Sequence, residues 1–105
     1  MIYLSPTEIS DLINKGESIH ILDVRENYEH EQCNISCQHI PMAEIINHID
    51  SLKNIDKLAL ICRSGRRAEA IANWLEQEHH LSNIIIVEGG ILNWKEQIDP
   101  NLNIE

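Results

Sequence analysis

Residues 58–75 read LALICRSGRRAEAIANWL, and this stretch decides the fold. Its first four residues are a continuous apolar run, which is typical of a strand buried on both faces of a sheet. Apolar side chains then recur at the spacing of an amphipathic helix, at Ala68, Ile71, Ala72 and Leu75. Cys62 therefore lies where a strand ends and a helix begins. At such a position loop amides and a helix N-terminus can point towards one sulfur atom.

The charges around Cys62 differ from those of the rest of the chain. The sequence contains 17 Asp and Glu against 8 Lys and Arg, yet three of its four arginines follow Cys62 closely, as Arg63, Arg66 and Arg67. Cationic neighbours favour a thiolate and attract an anionic substrate. The alternative is a solvated basic turn beside an inert buried cysteine. We favour the reactive thiol because basic residues in the first turn of a helix oppose the helix dipole.

Short apolar segments alternate with helical patterns along the whole chain. The predicted strands cover residues 2–4, 19–22, 37–40, 58–61 and 84–87. Their continuous apolar character predicts a parallel sheet with helices on both faces. We therefore expect an α/β fold with three layers, α/β/α, around a central parallel sheet of about five short strands. A chain of 105 residues is long enough for one domain, and we expect residues 1–105 to form it.

The helical segments also predict which side chains pack inward. Ser5, Pro6 and Glu8 predict the start of the first helix through a capping box. The predicted packing residues of the helices are Ile9, Leu12, Ile13, Tyr28, Ile45, Ile46, Ile49, Ile91, Trp94 and Ile98. The carboxylates of the second helix, Glu26, Glu29 and Glu31, are interpreted as a solvated face.

Ligands of parallel α/β sheets bind beyond the carboxyl ends of the strands. In this sequence those ends carry Asp23 and Arg25, then Cys62, then Glu88 and Gly89. We therefore predict that these residues contribute to one site.

Three segments together resemble the single-domain rhodaneses, a family of sulfurtransferases. They are CRSGRR at 62–67 with the apolar strand before it, DVRE at 23–26 and EGGILNW at 88–94. The similarity covers nearly the whole chain and implies a rhodanese-like fold. It also implies that Cys62 takes a sulfane sulfur from thiosulfate or a persulfide donor, holds it as a cysteine persulfide, and passes it to a thiol, to cyanide or to an acceptor protein.

The resemblance implies roles for the residues that match the family. Cys62 is the expected nucleophile. The loop residues expected to bind the donor and surround the persulfide are Arg63, Ser64, Gly65, Arg66, Arg67 and Ala68. Spacing does not decide which arginine faces the donor; we take Arg67 first and Arg63 second. Asp23 and Arg25 are expected to brace the loop, with a surface ion pair between Arg25 and a glutamate of the second helix as the alternative.

Cys33 and Cys37 depart from the family pattern. The sequence CNISC at 33–37 stands where the family commonly has Gly-His-Ile-Pro-Gly, and it is one residue shorter. We interpret both cysteines as packing residues. The alternatives are that the two thiols pair, bind metal with His30 or His39, or receive sulfur from Cys62.

Composition narrows the other possibilities. The net charge of −9 disfavours nucleic acid or an anionic membrane as a partner. Three cysteines give no disulfide framework, and residues 1–8 lack a signal-peptide pattern, so we expect a cytoplasmic protein. We also expect neither a metal nor a cofactor. A non-catalytic interaction module and a phosphatase or arsenate reductase remain alternatives. The phosphatases with this architecture place an arginine six residues after the cysteine, and here that residue is Ala68.

Overall fold

A single parallel sheet forms the centre of the protein. The computed structural model describes residues 1–104. Its strands are β1 (Ile2–Leu4), β2 (His20–Asp23), β3 (Gln38–His39), β4 (Leu58–Ile61) and β5 (Ile84–Val87). They lie in the order β1-β5-β4-β2-β3, and all neighbouring pairs are parallel. The predicted α/β fold is therefore confirmed, with β4 as the middle strand.

Helices follow the strands in the order that the sequence indicates. They are α1 (Pro6–Asn14), α2 (Asn27–Gln32), a 3₁₀ helix (Met42–His48), α3 (Ile49–Lys53), α4 (Arg66–His79) and α5 (Gly90–Gln97). The capping box of α1 is present, because Ser5 Oγ accepts the Glu8 N–H at 3.1 Å and Glu8 Oε1 accepts the Ser5 N–H at 2.9 Å. No helix within residues 1–104 has the length and apolar character needed to cross a membrane.

The side chains of β4 divide between two hydrophobic clusters. Leu58, Leu60 and Cys62 belong to the cluster that includes the buried face of α4. Ala59 and Ile61 belong to the cluster that includes residues of α1 and α5. Since successive strand side chains point to opposite faces, the alternation continues one residue beyond the strand. It directs Cys62 to the face that α4 covers.

Several helical packing predictions are wrong. Tyr28 is 73% exposed, because α2 is only six residues long and buries no side chain. Ile46 is 52% exposed, whereas its neighbour Ile45 is fully buried. These two isoleucines lie in the 3₁₀ helix, in which adjacent residues are about 120° apart around the axis, so only one can face the core. Ile13 and Ile98 are also exposed.

Candidate active site

Cys62 lies in the connection between β4 and α4. It is 1% exposed, and its Sγ accepts the Gly65 N–H at 3.0 Å. Gly65 is the N-cap of α4 and has a φ of 106°, a conformation that favours glycine. This backbone conformation turns the Gly65 amide towards the sulfur. The amide therefore provides a dipole that stabilises negative charge on Sγ.

The N-terminus of α5 donates hydrogen bonds to the backbone of the loop that contains Cys62. The Ile91 N–H donates to the Cys62 carbonyl at 2.8 Å, and the Leu92 N–H donates to the Arg63 carbonyl at 3.2 Å. Gly90 makes this approach possible, since a Cβ at residue 90 would lie 2.4 Å from the Arg63 oxygen and 2.5 Å from the Cys62 oxygen. Sequence reasoning places Gly89 at the predicted site and identifies Gly90 only as part of the break after the last strand, so it misses the contact of Gly90 with the loop. The pair of glycines directly before an apolar helix is the sequence signal that could have indicated this close contact.

Arg67 forms an ion pair with Glu29 at the site. Arg67 Nη1 and Nη2 donate to the two carboxylate oxygens at 2.6 and 2.9 Å. The hydrogen bond from Arg67 holds the pKa of Glu29 below its usual range, although partial burial acts in the opposite direction. The Glu29 hydrogen bond and, to a smaller extent, the charge of Cys62 raise the pKa of Arg67. The interpretation of Glu29 as part of a solvated face is therefore wrong.

Asp23 and Arg25 form a buried pair. Their side chains are 1% and 2% exposed, and Arg25 Nε and Nη2 donate to the Asp23 carboxylate at 3.0 and 2.8 Å. Burial by itself raises the pKa of Asp23, but hydrogen bonds from Arg25 and His30 outweigh it and lower that pKa. The alternative of a surface ion pair is wrong.

Arg25 also connects this pair to α2. Its Nη2 donates to the Cys33 carbonyl at 2.6 Å, and its Nη1 donates to the Glu29 carbonyl at 3.4 Å. Cys33 is the C-cap of α2, where a cation is favourable for the helix dipole, and Glu29 lies in the first turn, so Arg25 contacts both ends of this short helix. Arg25 therefore positions the helix that carries Glu29, and Glu29 in turn contacts Arg67.

The other arginines of the loop line different cavities. Arg63 borders a cavity of ≈ 290 Å³ that also includes Glu29. Arg66 borders a second cavity, which it shares with Glu88 and Gly89 among others. Of the predicted site residues, Arg25 lines the first cavity with Arg63, and Ser64 and Gly65 line the second with Arg66. Ala68 is fully buried in the core, so its side chain contacts no ligand.

Cys33 and Cys37 are free thiols and are half-buried. Burial, with a smaller contribution from the charge of Asp23, raises the pKa of Cys37 to about 11. His30 and His39 stack on each other with ring centroids 4.1 Å apart. No group of three or more His, Cys, Asp or Glu side chains is arranged to hold a metal ion in the part of the chain that the structure describes.

Comparison with known proteins gives one consistent family. A model of the rhodanese-like domain matches residues 5–97. "Putative sulfur carrier protein YrkF" of Bacillus subtilis is 35% identical over 83 residues, which are 78% of this chain and 44% of that protein. "Putative sulfurtransferase YtwF" of the same organism is 28% identical over 98 residues, 92% of this chain and 93% of that protein. The chain thus spans less than half of the first relative and nearly all of the second.

Solved structures show the same architecture. A rhodanese-like domain protein from Staphylococcus aureus superposes with a TM-score of 0.79 at 25% identity, over 100% of this chain and 99% of that one. A rhodanese-related protein from Thermoplasma volcanium gives a TM-score of 0.79 at 29% identity over the full length of both chains. The resemblance predicted from the CRSGRR loop is confirmed.

Proposed function

The chain belongs to the rhodanese family, and on that premise we propose that it is a sulfurtransferase that carries sulfane sulfur on Cys62 as a persulfide. The observation that carries the proposal is the hydrogen bond of 3.0 Å from the Gly65 amide to Cys62 Sγ, in a loop between a buried strand and a helix N-terminus. The loop already offers a hydrogen bond to an anionic sulfur at this position, so no rearrangement of the loop is needed.

The first half-reaction loads the cysteine. The Cys62 thiolate attacks the outer sulfur of a donor such as thiosulfate, and a new S–S bond forms while the S–S bond of the donor breaks. Sulfite leaves with the electron pair, so no oxidant and no general acid are required. Arg67 lies in the first turn of α4, directly after the loop that contains Cys62, and its remaining N–H groups are suited to oxygen atoms of an anionic donor.

The second half-reaction returns the enzyme to its starting state. A thiolate or cyanide attacks the outer sulfur of the persulfide, and Cys62 leaves as a thiolate. We propose a small anionic donor and a thiol, cyanide or protein acceptor in the cytoplasm. The name of one relative, a sulfur carrier protein, supports a protein acceptor.

The loop is a poor match to phosphatase chemistry. The residue six positions after Cys62 is Ala68, which is buried in the core and offers no guanidinium to a phosphate. The buried thiol with its amide donor also gives a non-catalytic interaction module little support.

Thiocyanate formation from thiosulfate and cyanide tests the proposal. We expect turnover by the wild-type protein and by Cys33→Ser, and none by Cys62→Ser. Turnover that persists in Cys62→Ser, or hydrolysis of an aryl phosphate in place of sulfur transfer, would contradict it.

A further inference from the structure

We propose that Glu29 selects the sulfur donor and makes the site favour low-molecular or protein persulfides over thiosulfate. This inference rests on the sulfurtransferase function proposed above. It concerns which class of donor the loop accepts, and it assigns the choice to a residue outside the loop.

The ion pair of Arg67 with Glu29 is the main observation. Both carboxylate oxygens of Glu29 accept from Arg67, at 2.6 and 2.9 Å, and the Glu29 side chain is only 13% exposed. A guanidinium has five N–H donors, so two of them are already committed to Glu29. The pair has no net charge. An incoming sulfonate must therefore share Arg67 with a carboxylate or displace it.

Glu29 is also fixed in place. Its Oε1 accepts the Glu26 N–H at 3.1 Å at the start of α2. Its carbonyl accepts from Arg25, which is paired with the buried Asp23. Moving the carboxylate away from Arg67 would break the bond to Glu26 as well. Glu29 also lines the cavity that Arg63 borders, so its fixed negative charge disfavours a donor with a charged group next to the transferred sulfur.

The two donor classes differ in this respect. Thiosulfate is a dianion whose sulfonate needs a cation for recognition. A persulfide R–S–S–H presents the same outer sulfur without a sulfonate. When the Cys62 thiolate attacks that sulfur, an S–S bond forms to Cys62 and the S–S bond of the donor breaks. The electron pair leaves on R–S⁻, which takes the proton from the transferred sulfur, so the step yields R–S–H and the Cys62 persulfide anion. No further reactant is required.

The test compares two donors, thiosulfate and glutathione persulfide, with wild type, Glu29→Gln and the matched control Glu31→Gln. Glutamine retains an oxygen for the Glu26 N–H, so the start of α2 is preserved. Glu31 lies on the same helix and is exposed, and its substitution makes the same change in charge. We expect Glu29→Gln to raise kcat/KM for thiosulfate about tenfold, mainly through KM, because an opposing charge is removed from the cation. We expect kcat/KM for glutathione persulfide to change by less than about twofold, because its carboxylates lie several bonds away from the transferred sulfur and are screened by solvent. Glu31→Gln should leave both values unchanged.

The outcomes separate this inference from the function on which it rests. If wild type forms no Cys62 persulfide with either donor, both are overturned. If wild type transfers sulfur from both donors but Glu29→Gln leaves their ratio unchanged or lowers it, donor selection by Glu29 is wrong and the sulfurtransferase function stands. Glu29→Ala, which removes the charge and also the bond to the Glu26 N–H, is the second variant and must shift the ratio in the same direction.

Discussion

Gly90 is the position where one added methyl group should separate the loop from the helix that supports it. We predict that Gly90→Ala destabilises the protein and slows sulfur transfer at Cys62. A Cβ at residue 90 would lie 2.4 Å from the Arg63 carbonyl oxygen, and both contacting oxygens are backbone atoms that cannot rotate away. Gly90 also has a φ of 62°, which is unfavourable for alanine.

The magnitude follows from two contributions. Alanine at a positive φ costs about 1–2 kcal/mol. Relief of the contact moves α5 away from the loop and weakens the bonds from Ile91 and Leu92 to the Cys62 and Arg63 carbonyls, each worth about 0.5–1.5 kcal/mol. We therefore expect Gly90→Ala to lower the free energy of unfolding by about 2–5 kcal/mol.

Gly16→Ala is the matched control. Gly16 has a φ of 94°, but nothing lies within 4 Å of the place that an alanine methyl group would occupy, so only the backbone cost of about 1–2 kcal/mol applies. Urea unfolding gives the free energies, and the rate of persulfide formation at Cys62 gives the effect on the site. If Gly90→Ala is as stable and as reactive as Gly16→Ala, the supporting role of α5 is wrong.

Three further predictions concern charged and nucleophilic groups. Asp23→Asn should lower stability at pH 7 by about 3–5 kcal/mol, because it leaves the charge of Arg25 buried without the opposite charge of Asp23. Because the pKa of Asp23 is lowered in the folded state, the pair contributes its full stability above about pH 4, and this contribution is lost as the pH falls below that value. Urea unfolding between pH 7 and pH 3 should therefore show a free energy of unfolding that depends less on pH in Asp23→Asn than in wild type. Arg67→Lys should lower kcat/KM for sulfur transfer from thiosulfate, because an ammonium has no planar pair of N–H groups to offer the oxygen atoms of the donor, and it should change stability by less than about 1 kcal/mol. Unchanged kinetics would exclude a role for the guanidinium. Burial raises the pKa of Cys37 to about 11, so the rate of its alkylation by iodoacetamide should increase with each pH step up to that value. Peptide mass measures the extent of alkylation, and a rate that levels off near pH 8 would contradict the prediction.

The fold could be predicted because its signals are local. The run at 58–61, the glycine of the loop and the apolar stripe of α4 lie within one segment, and each reports on its own neighbourhood. The same periodicity fails in short elements. Tyr28 lies on a six-residue helix, too short for an apolar stripe to develop, and Ile46 lies in a helix with a different period.

The site could be predicted only in part, because some of its contacts join distant segments. Cys62 and Gly65 follow from the loop itself. The partner of Arg67 is 38 residues away along the chain, and Glu29 shares its helix with exposed glutamates, so no local pattern distinguishes it. The contact of Gly90 with the back of the loop likewise depends on how α5 packs.

The mass of the Cys62 peptide after incubation with a sulfane donor tests the central claim most directly. We predict an increase of one sulfur atom on the peptide that contains Cys62, its loss on reduction, and no such increase in Cys62→Ser. An unmodified Cys62 peptide, or sulfur carried by Cys33 or Cys37 in the Cys62→Ser protein, would contradict the account.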